Sequence, residues 1–194
     1  MKKYILIIIA FIVWSCNNSK KAEVEVTDKK VLKKELRPFF DSDKIDHYYL
    51  DISEDDFMKL IRKKTQTKRE VEFSELFTGH YPDNIQKEDF GKILLKHNYK
   101  KSILDITQEK KIENVFSEKD RPIPDAAACI AEYRDIFIFK KRGEIIGLAK
   151  ICFKCNRFQI TGSKINTDVF GFFDELDKLK KIVRPENYSI LITE

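Results

Sequence analysis

The residues of this chain best suited to chemistry are four cysteines: Cys16, Cys129, Cys152 and Cys155. Cys16 stands alone near the start, and the other three gather in the second half. Sulfur in this pattern supports three kinds of chemistry. Two thiols can join as a disulfide; a bridge from Cys129 to Cys152 or Cys155 closes a loop of roughly 25 residues, worth on the order of 3 kcal/mol. Thiolates separated by two residues fit a tetrahedral zinc site. Cys129 would then be a third ligand, with His47, His80 and His97 as candidates for the fourth. A thiol pair can also act in redox exchange where a positive environment stabilises the thiolate. Each reading has a difficulty. A disulfide leaves one thiol over, zinc lacks a second C-x-x-C, and the "NRFQIT" that follows Cys155 reads as turn and strand instead of the helix start a redox pair favours.

The elements that must position these sulfurs are strands. Residues 129–139, "CIAEYRDIFIF", and 144–153 read as strands joined by a turn at Lys140-Lys141-Arg142-Gly143. Lys154-Cys155-Asn156 reads as a second turn and 157–161 as a third strand. Pairing Phe139 with Glu144 places Cys129 opposite Lys154, so all three sulfurs fall at one end of the hairpin. Thr167 is expected to cap a helix over 168–183 that buries Phe170, Phe173, Leu176 and Leu179. An antiparallel three-stranded meander with this helix across one face is the expected arrangement. The "YSILIT" at 188–193 adds a candidate edge strand.

The first half reads as mainly helical, which makes the fold class α+β. Residues 45–52, "IDHYYLDI", form a strand, and Ser53 caps a helix that buries Phe57, Leu60 and Ile61. A loop spans 79–83, a second helix 86–97, and a third includes Ile112, Val115 and Phe116. The extended "RPIP" from Arg121 marks a sub-boundary near 121–126.

The chain opens "MKKYILIIIAFIVWSC". A charged start precedes an apolar run that, as a helix, covers roughly half of a ~30 Å hydrocarbon core. That is the pattern of an export signal and not of a membrane span. Val13-Trp14-Ser15-Cys16 resembles the lipobox of bacterial lipoproteins, with Val13, Ser15 and Cys16 matching and Trp14 departing from the pattern. The resemblance implies cleavage after residue 15 and acylation of Cys16, which anchors the protein to a membrane through lipid. Residues 16–30 then read as the lipidated cysteine and a flexible tether, and 31–194 as a single α+β domain. Asn17 stands where Asp is linked with inner-membrane retention, which favours the outer membrane by the same resemblance.

A net charge of +5 with interspersed lysines and acids argues against a nucleic-acid partner. A hydrophobic fraction of 42% with 15 Phe is that of a folded protein. No G-x-S-x-G, H-E-x-x-H or P-loop is present. "DSDKID" at 41–46 lacks the glycine and distal glutamate of a calcium loop and reads as a solvated acidic turn. Phe39, Phe40, Tyr48 and Tyr49 could stack on a glycan, although such residues are more often core. The stretch "CIAEYRDIFIFKKRGEIIGLAKICFKC" resembles the C-terminal part of small uncharacterised bacterial envelope proteins, in which a closing C-F-x-C recurs. It implies no particular activity. Two functions follow as expectations. One is a non-enzymatic binding or structural module in the envelope, with a protein or glycan partner and no cofactor. The other is an envelope thiol-redox or zinc protein using Cys129, Cys152 and Cys155.

Overall fold

The apolar runs "DIFIF" and "IIGLA" place hydrophobic side chains on both sides of a strand, and such strands need cover on both faces. The computed structural model supplies it. The structure describes residues 36–82, 85, 89–123 and 129–184, all within a unit spanning Glu35–Glu194. In chain order these form β1 (Lys44–Tyr49), α1 (Glu54–Ile61), α2 (Lys68–Phe77), α3 (Phe90–Lys96), β2 (Lys100–Ser102), α4 (Ile106–Val115), β3 (Asp135–Lys141), β4 (Glu144–Cys152), β5 (Arg157–Thr161) and α5 (Phe173–Val183). The strands make one antiparallel sheet in the order β2-β1-β3-β4-β5.

Ile136, Ile138 and Leu148 point to one face and pack with Phe57 of α1, Phe77 of α2 and Leu94 of α3. Phe137, Phe139 and Ile151 point to the other and pack with Ile112 of α4 and Leu179 of α5. Each such side chain contributes roughly 1.5–3 kcal/mol by leaving water. The mixed α+β class therefore holds, with corrections. The sheet has five strands, not three, and helices cover both of its faces. β1 joins the meander by pairing with β3, across the "RPIP" stretch that was read as a sub-boundary. The short edge strand β2 and the helix α2 are additional to the expected elements.

The hairpin register also differs. Lys141, not Phe139, faces Glu144, so the turn is only Arg142-Gly143. Both of these residues have positive φ, 52° and 85°, the geometry whose twist matches paired strands. A bulge between Phe139 and Lys140 then sets Phe139 opposite Gly147. A Cβ on Gly147 would lie 2.0 Å from the Phe40 ring, so only glycine lets that ring stack on Phe139 at 4.2 Å.

Local signals place most helix starts. Ser53 accepts the Asp56 amide at 3.1 Å. Thr67 with Glu70, and Asp105 with Gln108, form reciprocal capping boxes at α2 and α4. The last helix begins later than expected. Gly171 has φ 98°, which no helix accommodates, and Thr167 lies outside the helix. Glu175 instead accepts the amides of Gly171 and Phe172. Phe170 is buried from a loop position, stacked 4.9 Å from Phe116, and Phe173 is 71% exposed and not part of the buried stripe. The expected strand at 188–193, residues 86–88 of the expected second helix, Cys16 and the 16–30 tether lie outside the described residues. No helix among the described residues is long and apolar enough to cross a membrane.

Candidate functional site

The three distal cysteines meet at the end of the sheet where β4 turns into β5. Cys152 closes β4 opposite Arg157, and Phe153 to Asn156 form the turn between them. Asn156 takes the left-handed conformation, φ 51°, which its short polar side chain tolerates. That turn holds Cys155 near the surface. Cys129 reaches it from outside the sheet, because β3 begins only at Asp135. The backbone before β3 follows α2 instead, with the Tyr133 amide donating to the Phe77 carbonyl at 2.7 Å. Cys129 and Cys155 are joined in a disulfide, their Cα atoms 6.3 Å apart. Cys152 is a free thiol, buried with Ala131 and Tyr133. Because Cys155 sits in a turn between strands, no helix dipole acts on either sulfur of the C-x-x-C pair.

Beside Cys152 on the same face of β4 is Lys150, a residue the sequence shows only as an interruption in an apolar run. It is 0% exposed. Its Nζ donates to the carbonyls of Gly79 at 2.7 Å and Tyr81 at 3.0 Å, and it lies 4.5 Å from the centre of the Tyr133 ring. Burial pushes this ammonium down to about 7, against the pull of Glu75. A near-neutral buried amine is a nucleophile by type. Here its donors are engaged by backbone and it has no open side, so it ties the loop after α2 to the sheet. The Tyr99 hydroxyl closes the same region by donating to the Tyr133 carbonyl at 2.8 Å.

The three histidines stand apart from the sulfurs. His47 is 1% exposed, on the opposite face of the sheet. Its Nδ1 is 2.9 Å from Ser102 Oγ and its Nε2 3.1 Å from Asp135 Oδ1. Arg184 Nη2 donates to the other Asp135 oxygen at 2.5 Å. The order of groups is that of a nucleophile, base and acid relay. The ring, however, is stacked 4.7 Å from Phe137 and sealed on both sides. The chain of bonds ties edge strand β2 through β1 and β3 to the end of α5. Sequence spacing offered no signal for it, since its members come from four distant segments. His97 is 4% exposed and bonds Glu72 at 2.9 Å. His80 is exposed, with its carbonyl accepting from Gln159 at 2.8 Å. Among the described residues no three or more His, Cys, Asp or Glu side chains are grouped to hold a metal ion.

Two other groups differ from their expected setting. The acidic run at 41–46 is not simply solvated: Asp46 is 3% exposed and meets Lys101 at 2.8 Å and Lys140 at 2.7 Å. Phe39, Phe40 and Tyr48 are core residues and form no glycan-stacking surface.

Compared with known proteins, the chain matches no family model, and neither a curated protein nor a solved structure is significantly similar to it.

Proposed function

We propose that this chain is a lipoprotein of the bacterial cell envelope, held to the membrane by acyl chains on Cys16, and that its folded part is a non-enzymatic binding or structural module. What supports the reading is the Cys129–Cys155 disulfide, taken together with the resemblance of "MKKYILIIIAFIVWSC" to an export signal that ends in a lipobox. Such bonds persist in oxidising compartments beyond the inner membrane. The non-enzymatic part rests on the sheet's reactive side-chain types. Lys150, His47 and Cys152 are each at most 1% exposed and serve packing or hydrogen bonding.

The test is to produce the full chain in a bacterial host fed an alkyne-tagged fatty acid, with Cys16→Ser beside it. The expected outcome is label on the native chain only, a mature first residue at position 16, and a polypeptide that gains two hydrogens on reduction. A native chain that keeps its initiating methionine and carries no label overturns the anchor. A second sample with three free thiols at positions 129, 152 and 155 before reduction overturns the compartment argument.

A further inference from the structure

Three sulfurs share one end of the sheet, and the bridge uses only two of them. Cys152 ends β4 packed with Ala131 and Tyr133, and Cys155 lies against the same cluster. The hairpin between β4 and β5 explains this closeness. Cys152 faces Arg157 across the ladder, which leaves a loop of four residues, 153–156. Loops of that length are most often built around a type I turn. Residues three apart in such a turn lie within about 7 Å, a Cα separation that a disulfide spans. Cys155 is thus in reach of two cysteines, Cys129 to which it is joined and Cys152 beside which it packs, and it can hold one at a time.

The two candidates differ in their surroundings. Cys152 is 1% exposed. Cys129 is exposed, and the Ile130 that follows it is 76% exposed. Among the described residues, the backbone of Cys129, Ile130 and Ala131 makes no hydrogen bond to the backbone of the sheet or helices. The first such tie is the Tyr133 amide on the Phe77 carbonyl. The disulfide and the contact of Ala131 with Cys152 hold the segment in place. A stretch with so few ties opens locally at small cost, and its opening admits water to Cys152.

We propose that Cys152 is an internal resolving thiol, which moves the bridge from Cys129–Cys155 to Cys152–Cys155 and so releases residues 129–131. Water takes the Cys152 proton when the segment opens, and Cys152 Sγ forms a bond to Cys155 Sγ. The Cys129–Cys155 bond breaks with its electron pair on Cys129, and that thiolate takes a proton from water. One disulfide replaces another, so no oxidant or reductant is consumed. Cys155 is the sulfur attacked because it is the one packed beside Cys152. Charge passes from an enclosed sulfur to one that water solvates, which favours the departure of Cys129. The exchange goes beyond the packing role given to Cys152 above and does not depend on the anchor at Cys16.

The test incubates the full folded chain with iodoacetamide in mildly alkaline buffer without reductant, then maps alkylated and bridged peptides by mass spectrometry. The expected product carries the alkyl group on Cys129 and a bridge between Cys152 and Cys155. In Cys152→Ala, alkylation of Cys129 should fall about tenfold or more, since no thiol remains to displace it. In Cys129→Ser, oxidised glutathione should close the Cys152–Cys155 bridge. Alkylation of Cys152 alone, with the original bridge intact, overturns the proposal. So does label on Cys129 that survives Cys152→Ala, a native chain with no label at either position, or a Cys129→Ser chain whose two thiols stay unbridged. None of these outcomes bears on acylation of Cys16, which the fatty-acid label reads separately.

Discussion

Lys150 and Asp46 lie on the same face of the sheet, one toward the disulfide end and one toward the β3–β4 hairpin, and both are nearly sealed from water. At Lys150 the partners are two carbonyls and a ring. Neutral dipoles do not compensate the lost hydration of an ammonium, so burial prevails and the group titrates at about 7. At Asp46 burial also pushes the carboxyl up, but hydrogen bonds from Lys101 and Lys140 outweigh it and hold the group below 3.8. Glu175, on the opposite face, lies between these cases. Burial pushes its carboxyl up and prevails over Arg121, Lys119 and the Gly171 and Phe172 amides, all of which pull it down. The lesson is that depth alone does not set the protonation state. What decides it is the balance between lost hydration and the charged partners within reach, which favours the ion at Asp46 and not at Lys150 or Glu175.

The comparison can be broken most forcefully at the disulfide. Replacing Cys129 and Cys155 together by Ser frees a loop of 26 residues and should cost about 3–4 kcal/mol in urea unfolding. If that bridge keeps the region dry, NMR of the Lys150 ammonium in the same variant should show it titrating closer to its ordinary value. An unmoved titration would mean that the Gly79 and Tyr81 carbonyls and Tyr133 seal the site unaided.

Lys150→Met comes next. The amine titrates at 10.5 when unfolded and about 7 when folded, so between those values the unfolded chain holds more protons and stability rises with pH. The native protein should therefore gain about 3 kcal/mol relative to Lys150→Met between pH 7 and 9.5. A constant difference across that range would show that Lys150 is not desolvated in the folded state.

Asp46→Asn should cost about 2 kcal/mol at pH 7, since Lys101 and Lys140 lose their shared partner. The sign of the pH dependence is opposite to that at Lys150. Stability from Asp46 is present above 3.8 and drains away as pH falls through the lower folded value. Native and Asp46→Asn proteins should thus converge in acid, and denaturant midpoints at pH 7 and pH 2 check this. The smallest effect is expected from Ser102→Ala, about 1 kcal/mol, because His47 loses one of its two partners and the other stays. A much larger loss would mean that the edge strand depends on this single tie.

Much of the local architecture was legible in advance. Ser53 capped α1 where its hydroxyl preceded an acidic turn, and Asn156 took the left-handed turn position. The T-x-x-E at Thr67 is an equally clear capping-box pattern, and it marks the start of α2. A four-residue loop at 140–143 implies a hairpin register two residues from the real one, because Arg142-Gly143 closes a two-residue turn. Spacing alone puts Phe173 in the core, but the positive φ of Gly171 delays the helix start and that ring faces outward. At the candidate site, the gathering of the sulfurs at one end of the hairpin could be read from spacing. The choice of Cys155 over Cys152 could not, since it turns on residues 129–134 leaving the sheet to follow α2.

Caps, turns, the β1 segment and the alternation of apolar residues along β3 and β4 depend on interactions within a few positions of one another, and the residue string is enough to specify them. The side of the sheet on which Lys150 is sealed, the meeting of His47 with Asp135 and Arg184, and the packing of Cys152 with Ala131 and Tyr133 depend on segments far apart in the chain. Their energies arise from which surfaces exclude water together. That is a property of the packed assembly and has no counterpart in local spacing.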